Sequence, residues 1–284
     1  MPTTTTATTT ATTATSAAAR TTEETVMSRT DLARAGHRRA VTAVDRWVRR
    51  SGAVVACWFW GIYALYAVGI TVGNAVTGGD LEISALDATL GAQRWAVLWL
   101  GVVGTTALLA VHVAAGGSRR SLAGGVLRGA LVLGAGYGVV TVLALLGERL
   151  LSTSLGMTWR RLGALPFDAP LAVLGTALAE GLVVATYLLV GACIGVGFVH
   201  ARAWGALLIV PLALPAVLVD LATRTGVVGT IANVELRPDI DHAEVPPAEG
   251  LVTLLTGVGG AALAAAVAAV VLYALLRTAP VRPR

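Results

Sequence analysis

Six apolar segments dominate the chain, at about residues 53–76, 95–115, 126–147, 170–199, 204–222 and 251–276. Each is comparable with the roughly 20 residues that an α-helix needs to cross a hydrocarbon core about 30 Å thick. Lipid offers no partner for a bare N–H or C=O, so such runs must be helical. The fold class that follows is an all-α, polytopic integral membrane protein with about six transmembrane helices. The fourth segment is long enough to tilt or to hold a break near Glu180 and Gly181, and Pro211 and Pro215 should kink the fifth. Composition agrees: 56% of residues are hydrophobic and 13% charged, with a mean hydropathy of +0.76. A soluble domain carries roughly 25% charged residues, so a soluble globular enzyme is excluded.

The segments ahead of the first span read differently. Residues 1–30 are rich in threonine and alanine, have no apolar periodicity and read as a disordered tail. They lack the apolar core of a secretory signal, so the first span is expected to stay attached. In residues 31–50, Leu32, Ala35, Ala40, Val44, Trp47 and Val48 recur at helical spacing between arginines, as in a basic amphipathic helix lying on the membrane. Asp31 suits its start, and Trp47 suits the headgroup level. A six-helix domain at 51–277 and a short tail at 278–284 complete the organisation.

Every basic side chain other than histidine is an arginine, so neither a phosphate-loop lysine nor a Schiff-base lysine exists in this chain. Thirteen arginines flank the spans on one side, including Arg119, Arg120 and Arg128 in the first inner turn, against six on the other side, Arg94 and Arg149 among them. By the positive-inside rule both termini face the cytoplasm of a bacterial cell membrane.

No catalytic motif is visible, and no cofactor or metal is expected. Asp239, Asp241, His242 and Glu244 in the last outer loop read as a solvated acidic stretch. Cys57 and Cys193 lie in apolar runs and read as inert buried thiols, and His112 and His200 read as interfacial. Asp220 has Arg224 one turn away as an expected partner. Glu180 is the intramembrane polar candidate: if its span starts at Pro170, the carboxylate lies near mid-membrane, where a charge costs about 2.5–3.5 kcal/mol on insertion scales. The pairs Gly69/Gly73, Gly134/Gly138 and Gly191/Gly195 have the spacing of close helix packing within the chain.

The stretch from His112 to Gly125 contains Gly117-Ser118-Arg119-Arg120, which resembles the Gly-x-(Thr/Ser)-Arg-Arg turn of small bacterial ABC transporter permeases of the type-two exporter class. The basic helix before the first span, the Glu148–Arg149 pair and the Gly-rich fourth span leading to the turn of residues 200–205 agree with it, over about residues 31–276. The polar, acidic segment 223–250 departs from the family's membrane-dipping hairpin. The resemblance implies a permease that works with a separate ABC ATPase subunit, pairs with itself or a sibling permease, and exports an amphipathic or hydrophobic compound. It assigns ATPase docking to Ser118, Arg119, Arg120 and Ser121, with Arg38, Arg39 and Trp47 on the same surface. The bilayer is the remaining partner, and nucleic acid is not expected. Two alternatives stand beside it: a non-catalytic accessory or sensor protein, and a proton-coupled secondary transporter using Glu180.

Overall fold

A computed structural model describes residues 8–77, 84–159, 167–201, 205–224 and 247–279. Six helices occur among them: α1 (Thr8–Thr77), α2 (Ala85–Ala114), α3 (Arg119–Ser154), α4 (Pro170–Ala201), α5 (Gly205–Arg224) and α6 (Pro247–Thr278). Five contain segments long and apolar enough to cross a bilayer, and α5 contributes the shorter apolar stretch Ile209–Asp220. The chain is therefore an all-α, multi-pass membrane protein. Large exposed side chains such as Leu65, Trp99, Leu143 and Val210 would form an insoluble surface in water and are at home against acyl chains.

α4 is the central post. It packs against α2, α3, α5 and α6, and its residues from Val183 to Val190 are almost wholly buried. That follows from a sequence apolar on every side, which has no face to give to a polar phase. Small residues set its distance to its neighbours. Gly134 and Gly138 of α3 lie flush against the backbone of Gly181 and Ala177, while Gly191 and Gly195 of α4 lie against Leu98 and Val102 of α2. Gly69 and Gly73, with the same spacing on α1, meet nothing within 4 Å. α4 is unbroken through Glu180 and Gly181, and α5 keeps Pro211 and Pro215 within one helix.

α1 differs from the sequence reading. It is one helix across residues 30/31 and 50/51, so the basic stretch is continuous with the first span. The reason is packing: Val44 and Val48 are buried over Gly125 and Gly129 of α3, which carries the amphipathic face along the bundle. Between these valines Asp45 is buried, held by Arg49 at 2.8 Å and facing Arg128 at 3.6 Å. Cys57 is exposed on the outer side of α1, contrary to its expected burial, whereas Cys193 is buried.

The α2–α3 connection is four residues long. Gly116, at φ 80°, takes the left-handed position, Gly117 N–H donates to His112 O and Gly116 N–H to Val113 O, the paired bonds that close a helix C-terminus. Ser118 then caps α3: its Oγ accepts from Ser121 N–H, and Ser121 Oγ accepts from Ser118 N–H. Gly156, at φ 72°, ends α3 with the same pair of bonds, from Gly156 to Thr153 and from Met157 to Ser152.

Candidate functional site: a buried ion cluster

Among the described residues, the fold gathers Arg94, Glu180 and Asp220 into one ion cluster inside the apolar bundle. Arg94 lies nine residues into α2, about 13 Å along its axis at roughly 1.5 Å per residue. Glu180 lies ten residues into α4, about 15 Å in. Asp220 lies one turn from the end of α5. The Arg94 guanidinium donates from Nη2 to both Glu180 oxygens, at 2.9 and 3.2 Å, and its Nη1 pairs with Asp220 Oδ1. Side-chain exposure is 2% for Arg94, 6% for Glu180 and 31% for Asp220, so the cluster opens toward Asp220 alone.

One guanidinium serves two carboxylates, of which Glu180 is the more deeply buried. Such an arrangement is stable only while all three groups are together, because a single charge left behind carries an uncompensated desolvation cost. The surroundings are sparse in polar groups. Gln93 is buried with Oε1 lacking a partner among the described residues, Trp95 meets Tyr187 edge-on at 6.2 Å, and Thr223 Oγ1 is occupied by Val219 O. The cluster thus links α2, α4 and α5 by charge, while α2 and α4 are also held by close contacts at Gly101, Gly191 and Gly195.

A second remote carboxylate anchors the same end of the bundle. Glu148 of α3 is buried and accepts from Ser84 Oγ at 2.6 Å and Ala85 N–H at 2.5 Å. It supplies the acceptor that the first turn of α2 needs, and its charge suits the positive end of that helix.

Sequence reading found Glu180 and missed its partners. Arg94 was expected in an outer loop, but α2 starts earlier, and Leu86, Leu90, Val97 and Gly101 make a helical stripe that includes it. That stripe was the available signal. Asp220 pairs with Arg94 of another helix, and the side chain of Arg224, its expected partner, lies outside the described residues. His112 Nε2 lies 2.9 Å from Ser121 Oγ, and His200 bridges Val196 O at 3.0 Å and Thr278 Oγ1 at 3.1 Å. Asp239, Asp241, His242 and Glu244 lie outside the described residues.

The docking candidates are divided by the fold. Arg119 donates to Arg277 O at 2.9 Å and Arg120 Nε to Tyr273 Oη at 3.2 Å, both at the exposed end where α3 begins and α6 ends. His37 of α1 lines the groove beside Arg120. Arg38 and Arg39 are exposed, and Arg39 is about 200° around α1 from His37, on the far side from α3. Ser118 is the helix cap, Ser121 is fully buried, and the Trp47 ring lies over Gly104 of α2. Only part of the set therefore shares one surface.

Comparison with models of known protein families, with curated proteins and with solved structures finds no match.

Proposed function

We propose that the chain is the membrane-spanning permease subunit of an ATP-driven exporter of the ABC class, working with a separate ATPase subunit to move an amphipathic or hydrophobic compound out of a bacterial cell. The observation that carries this reading is the exposed arginine turn: Arg119 and Arg120 open α3 on a surface shared with His37 of α1 and Arg277 of α6. Basic groups from three separated parts of the chain, two of them in the segments assigned to docking, form one cationic end for an acidic partner. The cytoplasm is the side of this end, and the lysine-free sequence leaves the nucleotide site to the partner. An apolar cleft of about 390 Å³ between α4, α5 and α6, walled by Val190, Cys193, Pro211, Pro215, Leu263 and Val267, suits a hydrophobic cargo. ATPase closure at the arginine end would be passed through α3 to α4, against which it packs closely at Gly134 and Gly138.

The test is affinity purification of the intact protein in mild detergent with every co-purifying chain identified by mass spectrometry. A stoichiometric P-loop ATPase, lost in the Arg119→Ala, Arg120→Ala double variant, is the expected result. Recovery of the protein alone across several gentle detergents would overturn the reading.

The buried cluster favours a second reading, a proton-coupled transporter in which Glu180 and Asp220 share Arg94 and exchange a proton with the transport cycle. It is separated from the first by transport in sealed vesicles driven by a proton gradient without ATP, abolished in Glu180→Gln.

A further inference from the structure

Three guanidinium groups meet where two spans end. Arg119 and Arg120 open α3, Arg277 sits in the last turn of α6, and together with Ser118, Tyr273 and Leu276 they wall a polar cleft of about 440 Å³. The bonds from Arg119 to Arg277 O and from Arg120 to Tyr273 Oη hold both forks against α6. Each guanidinium has five N–H donors, so most remain for a ligand. Among the described residues none of these arginines has a carboxylate partner. The cationic character is reinforced by the amino-terminal end of α3, where the helix dipole favours an anion.

Below the cleft runs a second space that a soluble anion would not use. A largely apolar groove of about 670 Å³ between α1, α3 and α6 shares Arg120 and Tyr273 with the cleft and continues along Ala123, Gly124, Leu127 and Ala269. Gly124 keeps it open, since its missing Cβ would meet nothing closer than Val41 at 3.7 Å. A charged cleft at the end of two spans, continuous with an apolar groove along them, has the two-part shape of a lipid.

We propose that this is a binding site for one anionic phospholipid, with the headgroup phosphate on Arg119, Arg120 and Arg277 and an acyl chain in the groove past Gly124. A phosphatidylcholine headgroup brings its own cation against the three arginines. An acidic protein segment would fill the cleft and leave the groove empty. The site shares Arg119, Arg120 and Arg277 with the cationic end proposed for the ATPase but does not rest on that reading, because the apolar groove along Ala123, Gly124, Leu127 and Ala269 has no part in it.

The experiment uses the full chain, stripped of lipid in detergent and titrated with phosphatidylglycerol or phosphatidylcholine of identical chains, with retention counted by native mass spectrometry. Wild type is expected to hold one phosphatidylglycerol at least about tenfold more tightly than phosphatidylcholine. Arg277→Gln should lose about tenfold of that preference. Gly124→Leu, which keeps every arginine, should lose the lipid as well, and glycerol phosphate in excess should not displace it. Circular dichroism melts matching wild type would confirm that both variants fold. Equal retention of the two lipids, or variants that bind as wild type does, would overturn the proposal. Displacement by glycerol phosphate would reassign the cleft to a free anion, and loss of a co-purified protein in Arg277→Gln with lipid retention unchanged would reassign it to a protein partner.

Discussion

The Arg94 guanidinium reaches both carboxylate oxygens of Glu180 across 86 positions of sequence, and the two side chains are almost completely buried. Asp220 joins the cluster from α5, so three helices share one charge arrangement.

Removing the cation should therefore cost far more than removing the whole cluster. Arg94→Leu leaves the buried Glu180 carboxylate without its cation and is expected to destabilise by about 3–5 kcal/mol. The triple variant Arg94→Leu, Glu180→Leu, Asp220→Leu should recover most of that loss, because no orphaned charge remains. Thermal unfolding in detergent followed by circular dichroism ranks the variants. A triple variant less stable than Arg94→Leu would count against the account.

Glu148 should behave as a remote helix cap. In Glu148→Ala the Ser84 hydroxyl and Ala85 N–H lose their acceptor, at a cost of about 1–3 kcal/mol. Glu148→Gln keeps a carbonyl acceptor and should lose less. Hydrogen exchange read peptide by peptide should show faster exchange confined to the first turns of α2 in the alanine variant.

The glycine pairs should separate into two classes. An added methyl at Gly138 or Gly191 runs into the carbonyl of Ala177 or Leu98, so Gly138→Ala and Gly191→Ala are expected to cost about 1–3 kcal/mol. At Gly73 nothing lies within 4 Å, and Gly73→Ala should be neutral or stabilise α1 by up to about 1 kcal/mol through helix propensity. Melting temperatures of the three single variants in one detergent decide this, and a Gly73 variant as damaged as the other two would point to an unrecognised neighbour on that face.

The cap of α3 gives a smaller, local effect. Ser118→Ala removes the acceptor for Ser121 N–H and should cost about 1 kcal/mol. Ser121→Ala removes the hydroxyl that joins Ser118 to His112 Nε2 and should cost a similar amount. If the four-residue turn loses no stability in either variant, measured by urea titration, the capping box contributes nothing there.

Apolar run length and the absence of partners for backbone groups in lipid were enough to read an all-α membrane protein from the sequence. The start of α3 at Arg119 was not read in this way, because apolarity begins only near residue 126, although Ser118 and Ser121 have the spacing of a capping box and Gly116 supplies the conformation that ends α2. Glu180 stood out for a local reason: an acid inside an apolar run is costly wherever it goes. What hydropathy could not specify is which neighbour meets it. Arg94 was assigned to a loop because a window of apolarity ends at a charge, whereas a helix continues through a charge whose partner is brought by another helix. Gly69 and Gly73 are indistinguishable by spacing from Gly134 and Gly138, yet only the second pair touches a backbone. Basic residues 31–50 likewise read as a surface helix until Gly125 and Gly129 provide the slots for Val44 and Val48. Local chemistry depends on a residue and its near neighbours in the chain, so the sequence determines it. Pairing depends on where separate helices come to lie, and that was decided by the packing of small residues around α4.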